Sequence, residues 1–379
     1  MGPQRRLYSL SRVFEHLSDA ELGERLAART LELIDIPSES RSEDVIAAHA
    51  LQVLRAGGVP ARDAGDTCVV TDDLGPPSGP LVVLGGHFDT VPGQGNIPGS
   101  RDADHVYGLG AADMLGAVAV AMEVALAAAE PGRADALTAR LGLCLFGREE
   151  LAVAESALTP LLGREPGLRA ADLVLMMEPT DNTIHAGCLG NVNATWSFHG
   201  RSGHSARPWQ ADNAIDRAAA GIARLNAAVT PEEHVFDGLT FTSVVSVTQI
   251  SGGIAQNVIP DRVDAHVNQR YAPGTTPEAA EALLRELCGG DGETLEITSN
   301  APSGAVCTAD PLVQRLIACG DLPVAPKQAW TPVAEFTGQG ISAVNFGPGA
   351  PRFAHQRDEQ IAVAALVQCA RTLDAFLTA

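Results

Sequence analysis

Four continuous apolar runs, PLVVLGG (80–86), ARLGLCLFG (139–147), ADLVLMM (171–177) and ISAVNFG (341–347), constrain this chain most. They are separated by helical stretches such as MLGAVAVAMEVALAAAE. Apolar runs of this kind, interleaved with helices, predict a largely parallel sheet covered on both faces. Ligands of such sheets bind beyond the carboxyl ends of the strands. Ahead of them, Ser18 with Glu21 and Ser40 with Glu43 read as capping boxes that open two helices.

Between about 188 and 300 the pattern changes to strand (NVNATWSFHG), helix (WQADNAIDRAAAGIARLNAAV), strand (LTFTSVVSVTQI), strand (RVDAHVNQRYA), helix (TPEAAEALLRELCGG) and strand (TLEITS). This βαββαβ order predicts a ferredoxin-like two-layer unit inserted into the sheet domain. The expected architecture is α/β, with a discontinuous catalytic domain at 1–187 and 301–379 and an inserted domain at 188–300. A helix near 360–378 closes the chain.

Chemistry collects where the apolar runs end. PLVVLGG leads into His87 and Asp89, ARLGLCLFG into Glu149 and Glu150, and ADLVLMM into Glu178. Asp113 precedes a helix, and the loop after ISAVNFG carries His355. Two imidazoles and several carboxylates at one sheet edge suit a pair of divalent cations, zinc first, with cobalt or manganese as alternatives. If both adjacent glutamates enter one pocket, something positive should be there or their roles should differ, because like charges repel.

Charge excludes other classes. A formal net charge of −20 with a single lysine, Lys327, leaves no basic surface for nucleic acid or an anionic membrane. Seven scattered cysteines without CxxC spacing indicate neither a disulfide framework nor a structural zinc module. The opening MGPQRRLYSLSRVFEHLSDAEL has no continuous apolar core of a signal peptide, so the expected location is cytoplasmic. GLGAADM lacks the dinucleotide spacing, and GxSxG is absent.

The stretches GGHFDTVPG, YGLGAADMLGA, FGREEL, MEPT, GRSGHSARPWQADNAI, GGIAQNVIPDRVDAHVNQRYAP and VNFGPG followed by AHQRDE occur in this order. In them the chain resembles the M20 family of cocatalytic zinc aminoacylases and peptidases, and within it the desuccinylases. The resemblance implies that His87 and Glu178 hold one metal, Glu150 and His355 the other, and Asp113 bridges them. It also implies Asp89 as hydrogen-bond partner of the His87 ring and Glu149 as general base.

His204 would stabilise the oxyanion from a partner subunit, making a homodimer through the inserted domain. Asn257, Arg270 and Thr331 match substrate-binding positions. Cys188 stands where desuccinylases carry arginine; Arg207 is the candidate replacement. Pro332 and Glu335 also depart from the desuccinylase pattern. The implied substrate is a small N-acyl amino acid such as N-succinyl-L,L-diaminopimelate. Acetylornithine deacetylase, aminoacylase, carboxypeptidase or dipeptidase activity stays open as an alternative, as does a non-catalytic binding protein derived from a hydrolase.

Overall fold

The computed structural model describes residues 12–379; residues 1–11, with the basic start of the chain, lie outside the described residues. The chain divides into two compact units. The larger comprises the described residues up to Ala186 with Cys307–Ala325 and Glu335–Ala379; the smaller is Gly187–Val306 with Pro326–Ala334.

An eight-stranded mixed sheet forms the larger unit, in the order Ala61–Gly65, Cys68–Thr71, Arg140–Phe146, Leu81–His87, Leu173–Met176, Ala343–Asn345, Ile184–Ala186, Val324–Pro326. The four strands from Arg140–Phe146 to Ala343–Asn345 correspond to the four apolar runs and pair in parallel. Every residue of Leu81–His87 is buried, as a strand covered on both faces requires. Antiparallel pairs flank this parallel centre on both sides. Those flanking strands are only three to five residues long, so they show no comparable apolar signal.

The helix Gly116–Ala129 is apolar almost all round, with thirteen of its residues buried. The stretch Ala111–Ala129 is long and apolar enough to cross a membrane, but 89% of its 18-residue window is buried inside the protein. The one charge within Gly116–Ala129, Glu123, is paired with Arg25 and with Arg29 Nε at 2.9 Å, both on the helix Asp19–Ile34. Gly85 lets the adjacent strand approach closely: a Cβ there would sit 2.5 Å from Met176 Sδ.

Ser18 and Glu21 form the expected capping box. Ser40 and Glu43 do not. The second helix is Asp44–Ala56, and its N-cap residue Glu43 makes no side-chain cap bond. Both groups are recruited by the tertiary fold instead. Ser40 Oγ donates to Asp89 Oδ2 at 2.8 Å, and Glu43 Oε1 accepts from Arg41 N at 2.9 Å and Arg148 N at 3.1 Å.

The smaller unit is an antiparallel sheet ordered Glu232–Phe236, Leu239–Gly252, Arg262–Tyr271, Gly190–His199, Glu293–Ala301, with helices Ala214–Ala228 and Pro277–Leu287. Without the first strand this is the βαββαβ unit read from the sequence. Glu232–Phe236 adds a hairpin arm whose alternating exposure carries little apolar signal. Trp196, Phe198, Val267, Tyr271, Ala218 and Leu284 pack between sheet and helices.

Candidate active site

Sheet register gathers the functional segments. His87 lies opposite Phe146 on one neighbouring strand, so Glu149 and Glu150 emerge just past that strand's end. Gly85 lies opposite Met176 on the other neighbour, which brings Glu178 to the same edge. Asp113 is in the irregular turn Ala111–Leu115, with φ −126° and ψ 92°, and His355 is in the loop after Ala343–Asn345. Arg148 and His355 are left-handed, at φ 60° and 61°, a conformation that non-glycine residues adopt sparingly and that often marks functional sites.

Ligand-type atoms of His87, Asp113 and Glu150 all lie within 4.8 Å of one another. Asp113 faces both imidazoles, with Oδ1 3.5 Å from His87 Nε2 and Oδ2 3.4 Å from His355 Nε2. Glu150 Oε1 is 2.9 Å from His355 Nε2. Glu178 is buried at the end of its strand. The Glu149 carboxylate makes no hydrogen bond or ion pair with any described residue, whereas its main-chain N donates to Asp89 Oδ1 at 2.9 Å.

Asp89 differs from expectation in one atom. His87 Nδ1 bonds the Asp89 main-chain oxygen at 2.9 Å, and the carboxylate Oδ1 stands off at 3.6 Å. The carboxylate instead accepts from Glu149 N, from Glu150 N at 3.1 Å and from Ser40 Oγ. The ring is still fixed, because Nδ1–H donates to a carbonyl and Nε2 is left facing Asp113.

The electrostatics are those of crowded anions. Burial, then the charge of Glu178, drives the Glu149 pKa well above the usual carboxylate range, with the His87 charge opposing. Burial opposes protonation of His87, but the Asp113, Asp89, Glu149 and Glu178 carboxylates overcome it and raise its pKa well above 6.5. Asp113 and Glu150 raise His355 to about 10. Burial opposes ionisation of Asp113, yet the two imidazoles hold its pKa below the ordinary range.

These residues fit divalent cations. His87 Nε2 and Asp113 Oδ1 are both buried without a hydrogen-bond partner among the described residues, an arrangement costly for two polar atoms 3.5 Å apart. Imidazole nitrogen and carboxylate oxygen are the donors that zinc, cobalt and manganese accept.

The remaining candidates belong to the smaller unit. Gly203–His204 pairs antiparallel with Val258–Ile259, and Ser205 N donates to Asn257 O at 3.0 Å, so His204 and Asn257 share one corner. His204 Nδ1 accepts Ala206 N–H at 3.0 Å, leaving the proton of the neutral ring on Nε2. Arg207 and Trp209 are exposed in the same loop, and Arg207 N donates to His204 O.

Arg270 lies near the far end of Arg262–Tyr271. It is half-buried, with Nε donating to Asn268 Oδ1 at 3.2 Å and no carboxylate partner among the described residues. Burial lowers its pKa. Cys188 is buried and bridges to Gly304, its thiol donating to the Thr331 carbonyl at 3.6 Å. Thr331 is itself buried, and its hydroxyl has no partner. Arg207 is therefore at the opposite end of this unit from Cys188. In the larger unit, Glu335 accepts from Thr159 Oγ1, and burial pushes its pKa up against that bond.

Two further carboxylates carry signals that sequence reasoning missed. Glu43 is the buried acceptor of Arg148 N, next to Glu149. Glu359 is buried and accepts main-chain N–H groups around Asp113; burial raises its pKa to about 7 against those bonds. Only the AHQRDE stretch containing Glu359 could have pointed to it.

A sheet whose strand ends carry a His and carboxylate cluster beside an uncommitted glutamate, in a chain with an inserted βαββαβ unit, defines a metal-dependent hydrolase. Residues 188–294 match the model of the peptidase dimerisation domain. The chain is 36% identical over 350 residues to a provisionally assigned succinyl-diaminopimelate desuccinylase of Mycobacterium tuberculosis, covering 92% of this chain and 96% of that protein. It is 34% identical over 356 residues to succinyl-diaminopimelate desuccinylase of Corynebacterium glutamicum, covering 92% and 95%. An M20 family metallo-carboxypeptidase of Sulfolobus solfataricus has the same fold, at TM-score 0.76 and 18% identity over 93% of this chain and 98% of that one. The chain belongs to the M20 family of metal-dependent hydrolases.

Proposed function

We propose that this protein is a dinuclear amidohydrolase that removes a succinyl group from an amino-acid amine, with N-succinyl-L,L-diaminopimelate as substrate. One observation carries the chemistry: Asp113 offers separate oxygens to His87 and His355, while the neighbouring Glu149 keeps a carboxylate free of hydrogen bonds. His87 and Glu178 would hold one cation, Glu150 and His355 the second, with Asp113 between them. Zinc is the first choice, with cobalt or manganese acceptable to the same donors. When bound, the cations lower the pKa of a water molecule and polarise the scissile carbonyl.

The chain's own groups then do the rest. Glu149, held at its main chain by Asp89, accepts the proton of the attacking water and returns it to the leaving amine. His204 presents Nε2–H to the developing oxyanion, and Arg270 pairs with a substrate carboxylate through its planar fork. Asn257, Thr331 and Arg207 complete the substrate contacts.

Support for the succinyl substrate comes from the two desuccinylase relatives, which match over nearly the whole chain. Support for a homodimer comes from the dimerisation-domain match and from geometry inside the smaller unit. Arg262 and Arg270 are separated by roughly 26 Å of extended strand, and His204 pairs beyond the Arg262 end. His204 and Arg270 of one chain are too far apart to contact one amino-acid-sized substrate, so each chain's His204 serves its partner. A reducing, cytoplasmic location is supported by seven cysteines with no disulfide among the described residues.

The test is turnover after chelation and zinc reconstitution against N-succinyl-L,L-diaminopimelate, N-acetyl amino acids and dipeptides. Preference for the succinylated compound is the expected result. Strong preference for acetylated amino acids or dipeptides overturns the substrate assignment.

A further inference from the structure

Glu359 has no role in the chemistry above, yet its carboxylate accepts main-chain N–H groups at and beside Asp113. Its Oε1 accepts Ala112 N and Asp113 N, each at 2.9 Å, and its Oε2 accepts Gly110 N at 3.1 Å. Its main-chain oxygen accepts Gly108 N at 3.0 Å. The residue is 2% exposed, so these bonds form away from water. One residue thus fixes four N–H groups along a six-residue turn.

The turn needs such an acceptor. Asp113 and Met114 have non-helical dihedrals, and Gly110 is left-handed at φ 79°, so these N–H groups lack the partners a regular helix would supply. A buried N–H without a partner is destabilising. A carboxylate satisfies several at once, because each of its two oxygens can accept more than one bond.

Neighbouring contacts point the same way. Gln360 onward, Glu359 continues into the strand Gln360–Ala362, which pairs antiparallel with His105–Tyr107, directly before the turn. Gly349 lies against the turn so closely that a Cβ there would sit 2.2 Å from Ala112 O. Glu359 therefore links the segment that carries His355 to the turn that carries Asp113, whose Oδ2 must face His355 while Oδ1 faces His87.

We propose that Glu359 is a positioning residue: it clamps the Asp113 turn so that the two Asp113 oxygens face His87 and His355 together. This inference rests on the metal-centre reading above. Glu359→Gln keeps the side chain's shape but replaces one acceptor oxygen with an NH2 group that faces an N–H. Glu359→Asp keeps the carboxylate on a shorter stem and is the second variant should the glutamine form fail to fold.

The experiment titrates zinc into metal-free wild type and both variants by calorimetry, with thermal unfolding of each metal-free protein alongside. Removing an outer partner of a metal ligand weakens affinity about 10–100-fold. That loss is expected in Glu359→Gln, with a smaller loss in Glu359→Asp and with KM at saturating zinc unchanged. A support of the fold alone would lower the unfolding temperature and leave the affinity of the folded protein within about twofold of wild type; that result overturns the proposal. Failure of wild type to bind zinc overturns the metal-centre reading instead, so the two failures are distinguishable.

Discussion

Asp89 Oδ1 accepts the main-chain N–H of Glu149 at 2.9 Å, so the residue two positions after His87 fixes the main chain of the proposed general base. The other oxygen takes Glu150 N and Ser40 Oγ. In Asp89→Asn one oxygen becomes a donor facing donors, which loosens base and ligand together. Activity is expected to fall about 10–100-fold, the usual loss for an outer partner of a metal site. Steady-state kinetics with zinc quantification checks it, and unchanged kcat with full zinc would sink the role.

Glu149 and Glu150 are adjacent but separable. Glu149→Gln removes the proton acceptor while leaving His87, Asp113, Glu150, Glu178 and His355 in place. It should bind two zinc ions and lose about 10²–10⁴ in kcat. Glu150→Gln should lose metal first. Wild-type turnover by the Glu149 variant would remove the mechanism.

Cation binding should release protons. Asp113 and Glu150 raise His355 to about 10 in the metal-free protein, so at neutral pH its ring holds a proton that a cation must displace. A raised histidine pKa means affinity weakens as pH falls and becomes pH-independent only above about 10. Calorimetry at pH 7.5 in buffers of different ionisation enthalpy should show at least about one proton released per chain. Heat independent of the buffer contradicts this.

Arg270 is a half-buried guanidinium without a carboxylate partner among the described residues, and burial lowers its pKa. A lone desolvated cation of this kind is incomplete without an anion. Arg270→Ala should raise KM for the succinylated substrate about 10–100-fold, matching the 1.5–3 kcal/mol of a charged hydrogen bond. Zinc affinity should not change. Arg270→Lys should recover little, because an ammonium lacks the fork. An unaltered KM in both variants refutes substrate contact.

The strand ends were legible because period and burial speak locally: seven buried residues run from Leu81 into His87, and the polar residues after each run had one edge to occupy. The ferredoxin-like order was legible for the same reason. Ser40, Glu43 and Glu359 were not. Ser40 and Glu43 have the spacing of a helix cap, but their partners are Asp89 and Arg148, 49 and 105 residues away. Glu359 bonds a turn 246 to 249 residues earlier. Local propensity contains nothing of such bonds, and the competition between a cap and a buried carboxylate is decided by tertiary burial. The flanking antiparallel strands were missed because short, partly exposed segments carry no apolar run.

The separation of His204 from Arg270 makes a prediction about subunits. If each chain lends His204 to its partner, His204→Ala and Glu149→Gln chains should be inactive apart and complement each other when mixed. A mixed dimer has one site missing both groups and one site missing neither. Random exchange makes half the dimers mixed, so activity should recover to about a quarter of wild type, as two-fold symmetry dictates. Arg207 shares the loop of His204 and donates its main-chain N–H to that residue, so it travels to the same site. Arg207→Ala should therefore raise KM severalfold only in sites built with its loop, which the same mixing design resolves. Exchange must be verified by mass spectrometry of differently tagged chains. Verified mixed dimers without recovered turnover would place His204 in its own chain's site and break the dimer argument.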